Sequence, residues 1–264
     1  MATGGQGSVL ALVGGAEWTA PAAALDAWLL EQSGSHSVTV LPTANRAHPD
    51  LAVATARRHF AALGGDVVEA AIRTRAHAEQ PSWRERLGSA PFLYLAGGDP
   101  GHLATVLAGT PAWAGVLDAV GAGAVVAGSS AGAMVFGSRM IRPGAGGTEP
   151  GLGLLPGVVV LPHFERWPAQ LAQVADALAA GVAGTDDVWV RVLGIDECTG
   201  LVLASPGDLE GGSCRVLGAG SVSCLRQAAG PPHAQPHAQP GPALVPAWVV
   251  HAPAEVDGCL AGRP

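Results

Sequence analysis

Val125-Val126-Ala127-Gly128-Ser129-Ser130-Ala131-Gly132-Ala133-Met134 joins a short apolar run to a match for G-x-S-x-G. The pattern predicts a strand that stops, a sharp reversal and a helix that begins. A residue at the tip of such a turn has strained backbone angles, so its neighbours must be small, and Gly128, Ala131 and Gly132 meet that demand. Ser130 would then project its hydroxyl above the sheet, with the first N–H groups of the helix facing a developing oxyanion. In a chain with 38 glycines the pattern alone is weak. Its weight depends on what flanks it.

Upstream, short apolar runs alternate with helical patterns. Ser8 to Val13 reads as a buried strand closed by Gly14-Gly15, and Thr19 and Pro21 open a helix carrying Leu25, Trp28 and Leu29. Ser37 to Pro42 is a second strand. His48-Pro49-Asp50 starts a helix whose Leu51, Phe60 and Leu63 are expected to face the sheet. Asp66 to Ile72 is a third strand and residues 77–88 read as helical. Pro91 to Ala96 is a fourth strand, closed by Gly97-Gly98-Asp99-Pro100. Residues 101–120 form one or two helices before the strand at Ala124 to Ala127. Continuous apolar strands alternating with helices imply a three-layer α/β sandwich around a mostly parallel sheet. Function in such sheets gathers at the carboxyl ends of the strands.

Downstream, Arg139 to Pro156 is Gly/Pro-rich and reads as a loop over the site. Val158 to Leu161 is a strand running into Pro162-His163-Phe164-Glu165-Arg166-Trp167, and Pro168 opens a helix with Leu171, Val174 and Leu178. Val192 to Ile195 leads into Asp196-Glu197-Cys198-Thr199 and then Leu201 to Ala204. Residues 213–226 read as a hairpin around Gly218-Ala219-Gly220. A repeated His-Ala-Gln-Pro at 233–240 reads as a linker, and Ala243 to His251 as a final edge strand.

Composition narrows the chemistry. The chain has 264 residues and a net charge of −7, and all 14 basic residues are arginine. Without lysine there is no P-loop lysine, Schiff base or Ser–Lys dyad, and no basic cluster suggests nucleic acid. No apolar run reaches membrane-spanning length and no charged n-region precedes an apolar stretch, so a cytoplasmic protein without membrane contact is expected. Cys198, Cys214, Cys224 and Cys259 make no C-x-x-C pair and read as scattered reduced thiols, a disulfide among them being undecided. No metal-ligand cluster or dinucleotide fingerprint occurs, so no cofactor and no metal are expected.

Ser130 needs a base, and the base an orienting acid. His36, His48, His59 and His77 are read as surface residues, and His233 and His237 fall in the repeat. His102 follows the Gly97-Gly98-Asp99 loop, and His163 ends a buried strand. Asp196 or Glu197, after another strand end, would hold its imidazole.

In this order, Gly128 to Ala133, Gly151 to Val160, His163-Phe164 and Gly194-Ile195-Asp196-Glu197-Cys198-Thr199-Gly200-Leu201 resemble the serine peptidase family of cyanophycinase and aspartyl dipeptidase E. That family has a fold like the class I glutamine amidotransferase domain, in the broader flavodoxin-like class. The similarity runs from about residue 8 to residue 205. It implies Ser130 as nucleophile, His163 as base and acid, Glu197 as third member with Asp196 the alternative, and an oxyanion hole of the Gly98 and Ala131 N–H groups. The family hydrolyses α-aspartyl dipeptides or β-aspartyl-arginine units. Here Gly97-Gly98-Asp99-Pro100 departs from the family's Gly-Gly-Asp-Gln or Gly-Gly-Asn. Leu161-Pro162 replaces the Asp-Gln that cyanophycinases carry before His-Phe, and only Arg166 follows closely.

The expectation is therefore a serine hydrolase of a small peptide or amide, not of cyanophycin itself, with Asp99 and Arg166 toward substrate and Arg139 and Arg142 as further carboxylate partners. Two other readings stand beside it. One is an esterase in the order Ser, Asp196, His251; the other is an inactive binding module that kept the fold. Residues 1–229 form the amidotransferase-like domain, 230–242 a linker and 243–264 a small β-rich C-terminal edge segment, with a homodimer left open.

Overall fold

The structure is a computed structural model that describes residues 8–141, 147–167, 171, 174, 191–204, 213–227, 244–251 and 254–257. In chain order the elements are β1 (Val9–Val13), α1 (Ala23–Gln32), β2 (Ser37–Leu41), α2 (Pro49–Ala62), β3 (Asp66–Glu69), α3 (Arg75–Ala78), α4 (Ser82–Gly88), β4 (Phe92–Leu95), α5 (Pro100–Leu107), α6 (Pro111–Gly121), β5 (Val125–Ser129) and α7 (Ala131–Phe136). Strands β6 (Arg139–Ile141), β7 (Thr148–Pro150), β8 (Val158–Pro162), β9 (Arg191–Ile195), β10 (Thr199–Leu203), β11 (Ser213–Gly218), β12 (Ser221–Gln227), β13 (Leu244–His251) and β14 (Ala254–Asp257) follow.

The central sheet has the order β14-β11-β10-β1-β5-β4-β2-β3. Its five strands from β1 to β3 are mutually parallel, and β10, β11 and β14 extend it antiparallel. This is the expected α/β sandwich. Alternation along each strand serves both faces: Ala11 and Val13 pack with Leu25, Leu29 and Phe60 of α1 and α2, while Leu10 and Leu12 pack with residues of α3 to α7. The connection from β4 through α5 and α6 to β5 brings the Gly97-Gly98 loop and Ser130 to one edge. The α5–α6 pair together has the length and apolar composition of a membrane span, but it bends by 93° and its apolar side chains are largely core. No single helix among the described residues is long and apolar enough to cross a membrane.

The strands after Ser130 do not all join that sheet. A second sheet runs β13-β12-β9-β8, with β8 and β9 parallel and the other pairs antiparallel. Val158, Val160, Leu193 and Val222 join the core beside α3 to α7, whereas Val159, Leu161 and Val192 form a separate outer cluster with Trp167 and Val174. Residues 213–226 are accordingly not a hairpin. The chain turns a corner at Gly218-Ala219-Gly220, so that β11 stays in the first sheet and β12 enters the second. Gly218 can make that corner because its φ is +111 and a Cβ there would lie 2.0 Å from the Cys198 carbonyl oxygen.

Several local expectations change. Leu51 is 62% exposed, because α2 buries Val53, Ala56 and Phe60, and Leu51 lies on the opposite side of that stripe. His59 is not a surface residue: its side chain is 9% exposed and its Nε2 lies 2.8 Å from Oδ2 of the buried Asp26. Thr19 does not cap a helix; its hydroxyl donates to the Ala16 carbonyl. Residues 139–156 hold the small β6–β7 ribbon, with Arg139 Nη1 donating to Thr148 Oγ1. Cys198 and Cys224 are free and buried, whereas Cys214 is disulfide-bonded, so the reading of reduced thiols does not hold for it. Arg142, the 230–242 repeat and most of the helix expected from Pro168 lie outside the described residues.

Candidate active site

Each candidate side chain hangs from the exit of β1. The Ser130 N–H donates to the Val13 carbonyl, the His163 N–H to Gly14, and the Cys198 N–H to Gly15. The ends of β5, β8 and β9 are thus fixed against one short stretch. Ser130 leaves β5 at φ 50, ψ −111 and enters α7, and the positions two residues to either side have room only for glycine. A Cβ on Gly128 would lie 2.5 Å from the Gly132 backbone, and one on Gly132 2.3 Å from the Leu95 carbonyl. His163 and Cys198 are also left-handed, at φ 53 and 55, as are Ala16 and Trp18. The five described non-glycine residues with positive φ all lie in loops around this site. Each costs about 1–3 kcal/mol and is held by the surrounding fold.

The three side chains meet. Ser130 Oγ is 2.9 Å from His163 Nε2, and His163 Nδ1 is 2.7 Å from Glu197 Oε1. An ionised carboxylate only accepts, so the proton sits on Nδ1 and leaves Nε2 to accept from the serine hydroxyl. His163 and Glu197 side chains are about a third exposed. Glu197 is further held by Arg166 Nη2 at 2.5 Å and by its own N–H, which donates to Glu165 Oε2.

Asp196 is placed elsewhere. Its Oδ2 accepts both the N–H and the hydroxyl of Ser221, at 2.9 and 2.7 Å, and so pins β12 at the corner between sheets. Arg166 serves Glu197 and does not line the cavity. Asp99 does: its Oδ1 accepts the His102 N–H at the start of α5, and its Oδ2 lies 3.4 Å from Arg46. His102 itself faces the Arg73 carbonyl.

An open cavity of about 490 Å³ fronts Ser130 and His163, walled by Gly97, Gly98, Asp99, Ala44, Asn45, Arg46, Ala47 and Glu17. Sequence reasoning missed Glu17 and the 44–47 stretch. Glu17 follows the Gly14-Gly15 strand end, which marks its place at the sheet edge but not its partners. Beneath the cavity Tyr94 is fully buried, and burial, with Asp26 and Glu17 nearby, pushes its phenol well above the usual range. His163, Glu165 and Glu197 bring a ring nitrogen and two carboxylates within 4.8 Å, a set able to hold a metal ion. Here Nδ1 of His163 is bonded to Glu197 Oε1, while the Glu165 carboxylate accepts the Glu197 N–H and pairs with Arg166.

The sequence model of peptidase family S51 matches residues 10–203. The chain belongs to peptidase family S51. Cyanophycinases of Trichormus variabilis and Synechococcus elongatus are each 33% identical to this S51 chain over 199 residues, 71% of its length. The chain spans only 62% and 58% of those two proteins. A peptidase from an acI-B1 Actinobacterium superposes with a TM-score of 0.70 at 26% identity, covering 94% of this chain and 98% of its own. A putative peptidase E protein from Listeria monocytogenes EGD-e shares the fold, with a TM-score of 0.54 at 19% identity over 75% of this chain and 94% of its own.

Proposed function

We propose that this S51 chain is a serine peptidase that cleaves an amide bond of a small peptide through an acyl-enzyme on Ser130. The observation that carries this reading is the continuous run from Ser130 Oγ through both nitrogens of His163 to Glu197 Oε1, at 2.9 and 2.7 Å. As Oγ attacks the carbonyl carbon, His163 Nε2 takes its proton. As the C–N bond breaks, Nε2 returns that proton to the leaving amine, and water then cleaves the ester by the same route. Glu197 holds the ring and balances the imidazolium; Asp196, engaged by Ser221, has no part in this. The left-handed turn at Ser130 is the nucleophile elbow, and the N–H groups of Gly98 and Ala131 stabilise the oxyanion.

Asp99, with Arg46 beside it, stands on the wall that a substrate's ends would touch. Leu161-Pro162 before His163 supplies no polar side chain of the kind cyanophycinases carry there, which supports a short peptide other than cyanophycin as substrate. The base 2.9 Å from Ser130 lies between nucleophile and acid in sequence, which disfavours the esterase order. A fluorophosphonate probe is expected to label the purified protein, and labelling should vanish in Ser130→Ala and in His163→Ala. A panel of Asp-Xaa, β-Asp-Xaa and N-acylated dipeptides then identifies the substrate. An inert wild type would favour the binding-module reading.

A further inference from the structure

We propose that Glu17 is a positioning residue for this hydrolysis, holding the oxyanion loop and the elbow in register from the cavity wall; the inference rests on the function proposed above. Its carboxylate bridges two strand ends distant in sequence. Oε1 accepts the Gly97 N–H at 2.8 Å, and Oε2 accepts the Ser129 hydroxyl at 2.8 Å. Gly97 precedes Gly98 and Ser129 precedes Ser130, so each oxygen fixes the residue immediately before one that the reaction uses.

The packing leaves no slack. A Cβ on Gly97 would lie 2.8 Å from Glu17 Oε1 and 3.3 Å from Ser130 Cβ, so the three groups are wedged together. Gly98 sits at φ +142 with its position closed by the Ala44 carbonyl, 2.2 Å from where a Cβ would be. A peptide so placed has one orientation while Glu17 grips its neighbour, and can rotate once that grip is lost. Glu17 is itself held by its flanks: Ala16 and Trp18 are both left-handed, and the Trp18 ring packs 5.3 Å from that of Tyr94. An oxyanion hole works because its donors are fixed before the charge develops, and Glu17 supplies that fixation across β1, β4 and β5.

The measurement is the saturation kinetics of fluorophosphonate labelling at Ser130, which separates the limiting rate from the half-saturating concentration. In this step the Ser130 oxygen bonds to phosphorus, fluoride leaves and His163 takes the proton. Glu17→Ala should lower the limiting rate about a hundred-fold with half-saturation little moved, the scale set by losing one oxyanion donor or shifting a reacting group by an ångström. Glu17→Gln, whose carbonyl accepts from Gly97 and whose NH₂ donates to Ser129 Oγ, should recover about ten-fold of that loss, since the geometry survives without the charge. Ser129→Ala, which removes one arm and keeps the core packing, should fall between wild type and Glu17→Ala and serves if the alanine variant at 17 does not fold. Limiting rates near wild type in Glu17→Ala or, where that variant does not fold, in Ser129→Ala, or a weakened half-saturation that Gln does not restore, overturn the proposal; the latter would make Glu17 a substrate contact. Wild-type protein that is unlabelled, or labelled equally in Ser130→Ala, would instead overturn the proposed function.

Discussion

Gly15 has no room for a methyl group. A Cβ there would lie 2.2 Å from His163 Cε1 and 2.8 Å from each ring nitrogen, on a backbone at φ +123. Gly15→Ala should therefore push the imidazole off the line between Ser130 and Glu197. Fluorophosphonate labelling should slow about a hundred-fold, the cost of an ångström's misplacement, while circular dichroism keeps its native form. Gly34→Ala is the matching control. It is also left-handed, at φ +61, but a Cβ there meets nothing within 4 Å. It should lose about 1–2 kcal/mol of stability from backbone strain alone and label at the wild-type rate. Equal labelling in both variants would mean that the contact with His163 does not set the ring's position. The same contrast shows what was legible in the sequence at this scale. Ser130 was marked by its small neighbours and His163 by the end of an apolar strand. The choice between Asp196 and Glu197 depended on which carboxylate Ser221 claims, and Ser221 lies 25 residues away.

Between elements, α1 and α2 enclose a carboxyl–imidazole contact that the active site does not use. Asp26 is 1% exposed, with His59 Nε2 at 2.8 Å as its partner. Burial raises the Asp26 pKa above 3.8, with the His59 contact pulling the other way and Glu17 adding a smaller upward push. A carboxyl whose folded pKa exceeds its unfolded one binds its proton more tightly in the native state. Its contribution to stability is thus largest below 3.8 and declines as pH rises from there through the raised value. Asp26→Asn removes this titration. In urea unfolding at a series of pH values, stability of the wild type relative to the variant should fall as pH increases across that window and then level off. A difference that stays constant with pH would show that His59 fully compensates the buried charge. His59 looked like an ordinary helix-surface histidine because α2 carries few strong apolar residues to mark its inner face; only packing against α1 reveals the pair.

Across the whole molecule, the parallel half was readable because each of its strands is a local apolar run followed by a helix. The second sheet was not, because pairing of β9 with β12 and of β12 with β13 joins distant segments whose periodicity fits either sheet equally well. Glu17 was overlooked for the same reason: its partners lie 80 and 112 residues on. The pairings also show what the C-terminal strands do. β13 covers the β12 edge of the second sheet and β14 covers the β11 edge of the first. Without them β12 and β11 would each present a row of unpaired backbone groups, the arrangement that templates association between chains. β12 in turn holds β9 and, through Ser221, the corner that precedes Glu197. A chain ending before Leu244 should therefore melt at lower temperature, scatter light in a concentration-dependent way, and label with fluorophosphonate more slowly than wild type even at dilutions where it stays monomeric. Slow labelling restricted to concentrated samples would attribute the loss to association alone; slow labelling at all concentrations would trace it to the loosened Asp196–Ser221 corner.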